Sequence, residues 1–217
     1  METGWKRRFA VALFVLGFGG AMPGLGAGDA FAGNGAQHRA SPFMRLYGET
    51  RAPSGFVGFC DRYPGECRST VQTNRRIHLT NERWRELDRI NRLVNTMIEP
   101  VSDRDLYGRA EVWVYPKRRG DCEDYVLLKR RMLMQRGWPK SALLITVARD
   151  QFGEGHAVLI IRTAEGDFVI DNKNETIAAW YETPYQFVKR QSSRDQTRWM
   201  SLLAAKSRPV VSRVWSR

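Results

Sequence analysis

One cysteine, Cys122, stands among three carboxylates, Asp121, Glu123 and Asp124, in the segment GDCEDYVLLKRRMLMQRG that runs from Gly120 to Gly137. A cysteine can act as a nucleophile when a base lies within hydrogen-bond reach and a third group orients that base. His156 and Asp171 follow downstream, each on a segment with the pattern of a strand. Singly, each residue has a plain structural explanation: a buried small thiol, a strand-end histidine bonded to backbone, and an aspartate serving the Asp171-Asn172-Lys173-Asn174 turn. Together, a cysteine at a helix start, a histidine on a strand and an acid on the next strand point to thiol chemistry.

The elements that must position these groups are legible. Gly120 and Asp121 are helix start signals, Tyr125, Leu128 and Met132 recur at i, i+3 and i+7, and Gly137 with Pro139 ends the helix. Acids come first and Lys129, Arg130, Arg131 and Arg136 later, as the helix dipole prefers. In the first turn, unpaired N–H groups and the positive dipole end lower a thiol pKa from its free value of ~8.5. The adjacent carboxylates act in the opposite direction, and a bound cation would resolve that conflict.

After this helix the period becomes that of strands, at Ala142 to Ala148, His156 to Arg162 and Asp167 to Asp171. These read as an antiparallel meander packed on the helix, an α+β fold. If Arg162 pairs with Asp167 across the Thr163-Ala164-Glu165-Gly166 loop, Asp171 faces Val158 and shares a face with His156. The diagonal separation of ~7–8 Å is one that side chains bridge, whereas a one-residue slip would put the two on opposite faces.

Upstream, residues 1–32 read as a signal peptide: a basic Lys6-Arg7-Arg8, an apolar run from Phe9 to Phe18 too short to span a membrane, and an Ala30-Phe31-Ala32 cleavage site. The Arg7-Arg8 pair raises twin-arginine export as a route, with weak support around it. The expected mature chain has no transmembrane segment. Residues 33–58, rich in Gly, Ser, Ala and Pro, read as an irregular arm over the surface, and residues 59–217 as the main domain. A helix capped by Thr80 or Asn81 should run to about Ile98, with Trp84, Leu87, Ile90, Val94 and Met97 on one face. Its polar face, including Asn91 and Asn95, reads as solvated or surface-contacting. Trp113, in the run from Glu111 to Pro116, reads as core or as one wall of a substrate cleft.

Cys60 and Cys67 bracket a turn at Tyr63-Pro64-Gly65, and an exported chain should join them in a disulfide. Zinc is disfavoured, because CDRYPGEC lacks knuckle spacing and the chain has 3 histidines, of which His38 lies in a weakly patterned stretch. The net charge of +12 is spread over scattered bases such as Arg75, Arg83, Lys117 and Lys189, with no nucleic-acid motif beside them. Nucleic acid is therefore not the expected partner. The basic tail from Lys206 to Arg217 fits either a last packed strand or a surface arm.

At these residues the sequence resembles the bacterial transglutaminase-like cysteine proteinases, a family that includes periplasmic proteases releasing biofilm adhesins. The resemblance runs from about Phe59 to Trp199. It rests on Cys60 and Cys67, Asn91 and Asn95, Trp113 to Pro116, Gly120-Asp121-Cys122-Glu123-Asp124-Tyr125, Gly155-His156-Ala157-Val158, Asp171-Asn172, Trp180, Tyr185, Phe187 and Trp199. It implies a papain-like or transglutaminase-like core with the catalytic helix packed on an antiparallel sheet. Cys122 is then the nucleophile, His156 the general base and acid, and Asp171 its orienting partner. It also implies calcium at Asp121 and Glu123, with Asp103, Asp105 and Asp124 as candidate further ligands, since calcium takes ~6–8 oxygens. A periplasmic location, a protein substrate in the cell envelope such as an adhesin, and an inner-membrane regulator complete the expectation. Two other readings stand beside peptide cleavage: transglutaminase or amidase chemistry on the same three residues, and a non-catalytic envelope binding module.

Overall fold

Residues 40–68 and 75–204 are described by the computed structural model of the chain. The expected signal peptide, His38, the first part of the arm and the basic tail lie outside them. The helices are α1 (Ser54–Arg62), α2 (Asn81–Met97), α3 (Asp103–Tyr107) and α4 (Cys122–Gln135). The strands are β1 (Glu49–Thr50), β2 (Glu99–Pro100), β3 (Arg119–Gly120), β4 (Leu143–Arg149), β5 (Gly155–Arg162), β6 (Asp167–Ile170), β7 (Ala178–Ala179), β8 (Gln186–Gln191) and β9 (Trp199–Ser201).

β4 and β5 form the middle of a seven-stranded sheet, ordered β1-β9-β8-β4-β5-β6-β7, in which every pairing is antiparallel. Both of its faces are covered, so its central strands read as almost continuous apolar runs. Alternation sends Leu143, Ile145, Leu159 and Ile161 into the core shared with α2 and α4. Leu144, Val158 and Ile160 go to a second cluster with Met44 and Phe187. The expected meander is present, and its register is the expected one: Arg162 pairs with Asp167 and Leu159 with Ile170. The fold is thus α+β, with α4 packed on β5.

Thr80 caps α2, its side chain accepting a hydrogen bond from the Arg83 amide at 3.2 Å. α4 ends in a Schellman turn: Gly137, at φ 80°, donates to Met134 O and Trp138 donates to Leu133 O. The Leu133 and Trp138 side chains both lie in the core, as that motif favours.

Two expectations need correction. The irregular arm does not extend through residue 58, because β1 pairs with β9 and α1 begins at Ser54. Phe56 and Phe59 drive this, packing at i and i+3 among Trp113, Tyr115 and Trp199. Gly55 lets the backbone approach, since a Cβ there would lie 2.3 Å from the Trp113 ring. The polar face of α2 is also not simply solvated. Asn91 is buried, its amide donating to Glu175 O, and Asn95 donates to Asp171 O.

α4 is more deeply enclosed than its apolar stripe suggested, with Lys129 and Arg130 both buried. Arg130 donates to Leu143 O and Gln196 Oε1, whereas the Lys129 ammonium has no hydrogen-bond partner among the described residues. Burial pushes the Lys129 pKa down to about 7, against the opposing charges of Asp171 and Glu175. A lysine depressed in the folded state destabilises it fully at and below about pH 7, and the cost fades toward the ordinary value of ~10.4. Lys129→Met is therefore expected to stabilise the fold by a few kcal/mol, a rise of roughly 5–10 °C in Tm. Thermal unfolding across pH checks this: the gap between variant and wild type should be widest near pH ~6 and close toward pH ~10. A gap independent of pH would show that the charge on Lys129 is not the cause.

Candidate active site

The first turn of α4 abuts the start of β5. The Ala157 amide donates to Cys122 Sγ at 3.4 Å, which docks the thiol beside His156. Cys122 and His156 line one cleft of about 620 Å³, together with Glu111, Trp113, Gly155 and Lys189. Trp113 meets both expectations, its ring packed in the aromatic core and its edge contributing to the cleft.

The register that set His156 and Asp171 on one face brings them into contact, with His156 Nε2 2.8 Å from Asp171 Oδ1. His156 Nδ1 is buried and has no hydrogen-bond partner among the described residues, so it is the ring nitrogen left for the thiol. Asp171 is held from several sides. Its Oδ1 also accepts from the Lys173 amide at 3.1 Å, its Oδ2 accepts from the Tyr185 hydroxyl, and its carbonyl accepts from Asn95 at 2.9 Å. Burial alone would raise the Asp171 pKa, but the hydrogen bond and charge of His156, with the Tyr185 hydroxyl, keep it below the usual carboxylate value. Tyr185 also sets its ring against the imidazole, with centroids 5.2 Å apart. The roles of Tyr185 and Asn95 are non-local; both residues were marked in the sequence by the family resemblance, which assigned them no role.

The acids divide into two groups. Glu123 sits against the thiol, which donates to Glu123 Oε2 at 3.2 Å. Asp121 does not cap α4 with its side chain and turns instead to the α3 start, its Oδ2 accepting from the Asp103 amide at 3.2 Å. Asp103 accepts from the Val112 amide, and Asp124 from the Val114 amide at 2.9 Å. Each of these three aspartates therefore has one oxygen bound to backbone. The other oxygens, Asp103 Oδ1, Asp121 Oδ1 and Asp124 Oδ2, are buried without a hydrogen-bond partner among the described residues. Ligand atoms of the three residues lie within 4.8 Å of one another, as do those of Asp121, Cys122 and Glu123. Gly120 leaves room for the cluster, because a Cβ there would fall 2.5 Å from Asp124 Oδ2. Asp105 takes no part: it is exposed, its amide donates to the Ser102 hydroxyl that caps α3, and its carboxylate accepts from that same hydroxyl. The parallel pairing of β2 with β3 brings the loop bearing Asp103 to the start of α4.

This crowding shows in the electrostatics. Burial, then Asp121, pushes the Glu123 pKa up to about 9. Burial raises Asp124 to about 7, with the charges of Asp121 and Asp103 adding to it. Burial and Glu123 raise the Cys122 thiol well above its ordinary value, against the Ala157 amide. The dipole advantage of the helix start is thus outweighed while these carboxylates carry no counter-charge. An all-oxygen set with three unpartnered oxygens suits a hard cation such as calcium.

A helix-borne cysteine abutting an antiparallel sheet that presents a paired histidine and carboxylate is the arrangement of papain-like and transglutaminase-like thiol enzymes. The family model described as bacterial transglutaminase-like cysteine proteinase, BTLCP, matches residues 46–207, and the chain belongs to that family of cysteine peptidases. Among solved structures, the chain is similar to calcium-bound LapG of Legionella pneumophila, at 20% identity over 59% of this chain and 75% of that one, TM-score 0.48. A second structure of LapG, EGTA-treated, matches at 22% identity over 51% and 63%, TM-score 0.44. No curated protein matches the chain. The Cys60–Cys67 disulfide expected from the sequence is present, and Cys122 is a free cysteine. Among the described residues, no helix is long and apolar enough to cross a membrane.

Proposed function

We propose that the chain is an exported, calcium-dependent cysteine peptidase that cuts a protein of the cell envelope, with Cys122 as nucleophile and His156, oriented by Asp171, as general base and acid. The observation that carries this reading is the His156–Asp171 contact at 2.8 Å, opening through Nδ1 onto the cleft that holds Cys122. With Nε2 bound to the carboxylate, Nδ1 accepts the thiol proton as Sγ attacks a peptide carbonyl. His156 then gives that proton to the leaving amine and activates the water that resolves the thioester. The amide of Cys122, at the start of α4, is placed to donate to the tetrahedral oxyanion.

Asp103, Asp121 and Asp124 would hold calcium through their unpartnered oxygens, with Glu123 beside them. Bound calcium supplies the positive charge that these carboxylates lack. The pair expected from the resemblance, Asp121 and Glu123, thereby widens to a set centred on Asp103, Asp121 and Asp124. Export rests on the signal-like composition of residues 1–32, a periplasmic location follows from it, and an adhesin-like surface protein as substrate rests on the family resemblance.

Alkylation of Cys122 by iodoacetamide, measured with calcium and after EGTA treatment, tests the reading. The rate should fall at least about tenfold on chelation, return when calcium is restored, and be lost in His156→Ala. A rate equal to that of a free thiol under every condition would remove the thiol chemistry and favour a binding module. Mass analysis of products from an envelope extract separates cleaved chains from cross-linked ones, and cross-links would favour transamidation.

A further inference from the structure

On the face of the sheet away from α4, a second cleft of about 440 Å³ shares no residue with the cleft that holds Cys122. Its deep part contains Arg76, Arg162 and Arg190, and the carboxylate lying among them is Asp167. Asp167 is 0% exposed, and its two oxygens are already engaged. Oδ1 accepts from Arg76 at 2.8 Å and Oδ2 accepts from the Met44 amide at 2.9 Å. Arg76 is further fixed by Thr163 O at 2.9 Å and by the Phe43 ring, 4.1 Å below its guanidinium. Arg162 donates to Ser141 O.

Arg190 is placed differently. It is 3% exposed, yet its nearest approach to Asp167 is 3.6 Å, and its Nε and Nη1 have no hydrogen-bond partner among the described residues. A buried guanidinium in this state is costly unless a further anion satisfies it. Among the described residues, Asp167 is the only carboxylate within ion-pair reach of Arg190; Glu49 on the rim is paired with Arg198, and exposed Arg194 adds another positive charge at the mouth. Burial, and after it the neighbouring charges of Arg76 and Arg190, bring the Arg162 pKa down to about 10.

We infer that this cleft binds a phosphate group, held by Arg190 and Arg76 at its base and by Arg194 at its mouth. Arg76 and Arg190 share the single carboxylate of Asp167, which leaves about one positive charge in excess at the base, and Arg194 adds a second at the mouth; a phosphate brings roughly −1.5 to −2 with three acceptor oxygens. Arginine is suited to such a ligand, because its donors form charge-assisted hydrogen bonds to phosphate oxygens. The group has two sources, free phosphate or the headgroup of an anionic phospholipid, and the arrangement of the arginines is the same for both.

The test uses the purified protein and two probes. Inorganic phosphate is titrated against sodium chloride at matched ionic strength, with thermal unfolding as the readout. Vesicles of phosphatidylglycerol in phosphatidylcholine are tested by co-sedimentation. The expected result is a saturable response to at least one probe, with apparent affinity reduced at least about tenfold in Arg194→Ala and in Arg190→Gln. Arg194 is exposed, so its replacement leaves the fold intact if Arg190→Gln does not. Response to phosphate alone assigns the free ion, and response to vesicles alone assigns the lipid headgroup. A response that chloride reproduces, that neither variant weakens, or that neither probe elicits overturns the inference.

Discussion

Cys122→Ala is expected to lower peptide cleavage by on the order of 10⁵–10⁶-fold, to the level left by binding and oxyanion stabilisation alone. The thiol lies against β5 at the start of α4, and the described residues contain no other free cysteine. Fold stability should change little or rise slightly. The thiol is half-buried, its contacts are one long hydrogen bond from Ala157 and one to Glu123, and its ionised form is opposed by Glu123. Turnover measured beside thermal unfolding separates the two effects. If the alanine variant kept activity within tenfold of wild type while remaining folded, Cys122 would not be the nucleophile.

Asp171→Asn is expected to cost on the order of 10³–10⁴-fold in kcat with little change in KM. Three donors converge on this carboxylate: His156 and the Lys173 amide on Oδ1, and Tyr185 on Oδ2. An amide offers only one oxygen. If that oxygen stays at Oδ1, the imidazole keeps its orientation but loses the charge that stabilises its protonated form. If the amide turns over, its nitrogen faces the Lys173 N–H and His156 must present the wrong tautomer. Both outcomes act on the proton transfers and leave the substrate cleft unchanged, so kcat should carry the loss. A fall confined to KM would sink the orienting role of Asp171.

Local pattern determined much of this protein. The start and stop of α4, the Thr80 cap of α2, the three strands from Leu143 to Ile170 and the disulfide loop all depend on residues within a few positions of one another. The His156–Asp171 pairing was legible for a related reason: a four-residue loop and a side-chain period of two leave one register that buries both faces. Composition and motif marked Cys122 as reactive, because a thiol set among carboxylates is a poor choice for a residue that only packs.

Tertiary structure decided what depends on distant segments meeting. Asp103 joins Asp121 and Asp124 because β2 pairs with β3, a contact that no spacing along the chain announces. Lys129 and Arg130 follow the acids along the helix as its dipole prefers, yet both are buried, because α4 is covered by α2 on one side and the sheet on the other. Tyr185 and Asn95 reach Asp171 from β8's approach and from α2, and α1 exists because Phe56 and Phe59 find Trp113 and Trp199. The arginines around Asp167 come from three separate stretches of chain, so their shared charge appears only when the sheet is closed. Periodicity reports which face a residue takes on its own element, whereas the partner on that face is set by the packing of the elements.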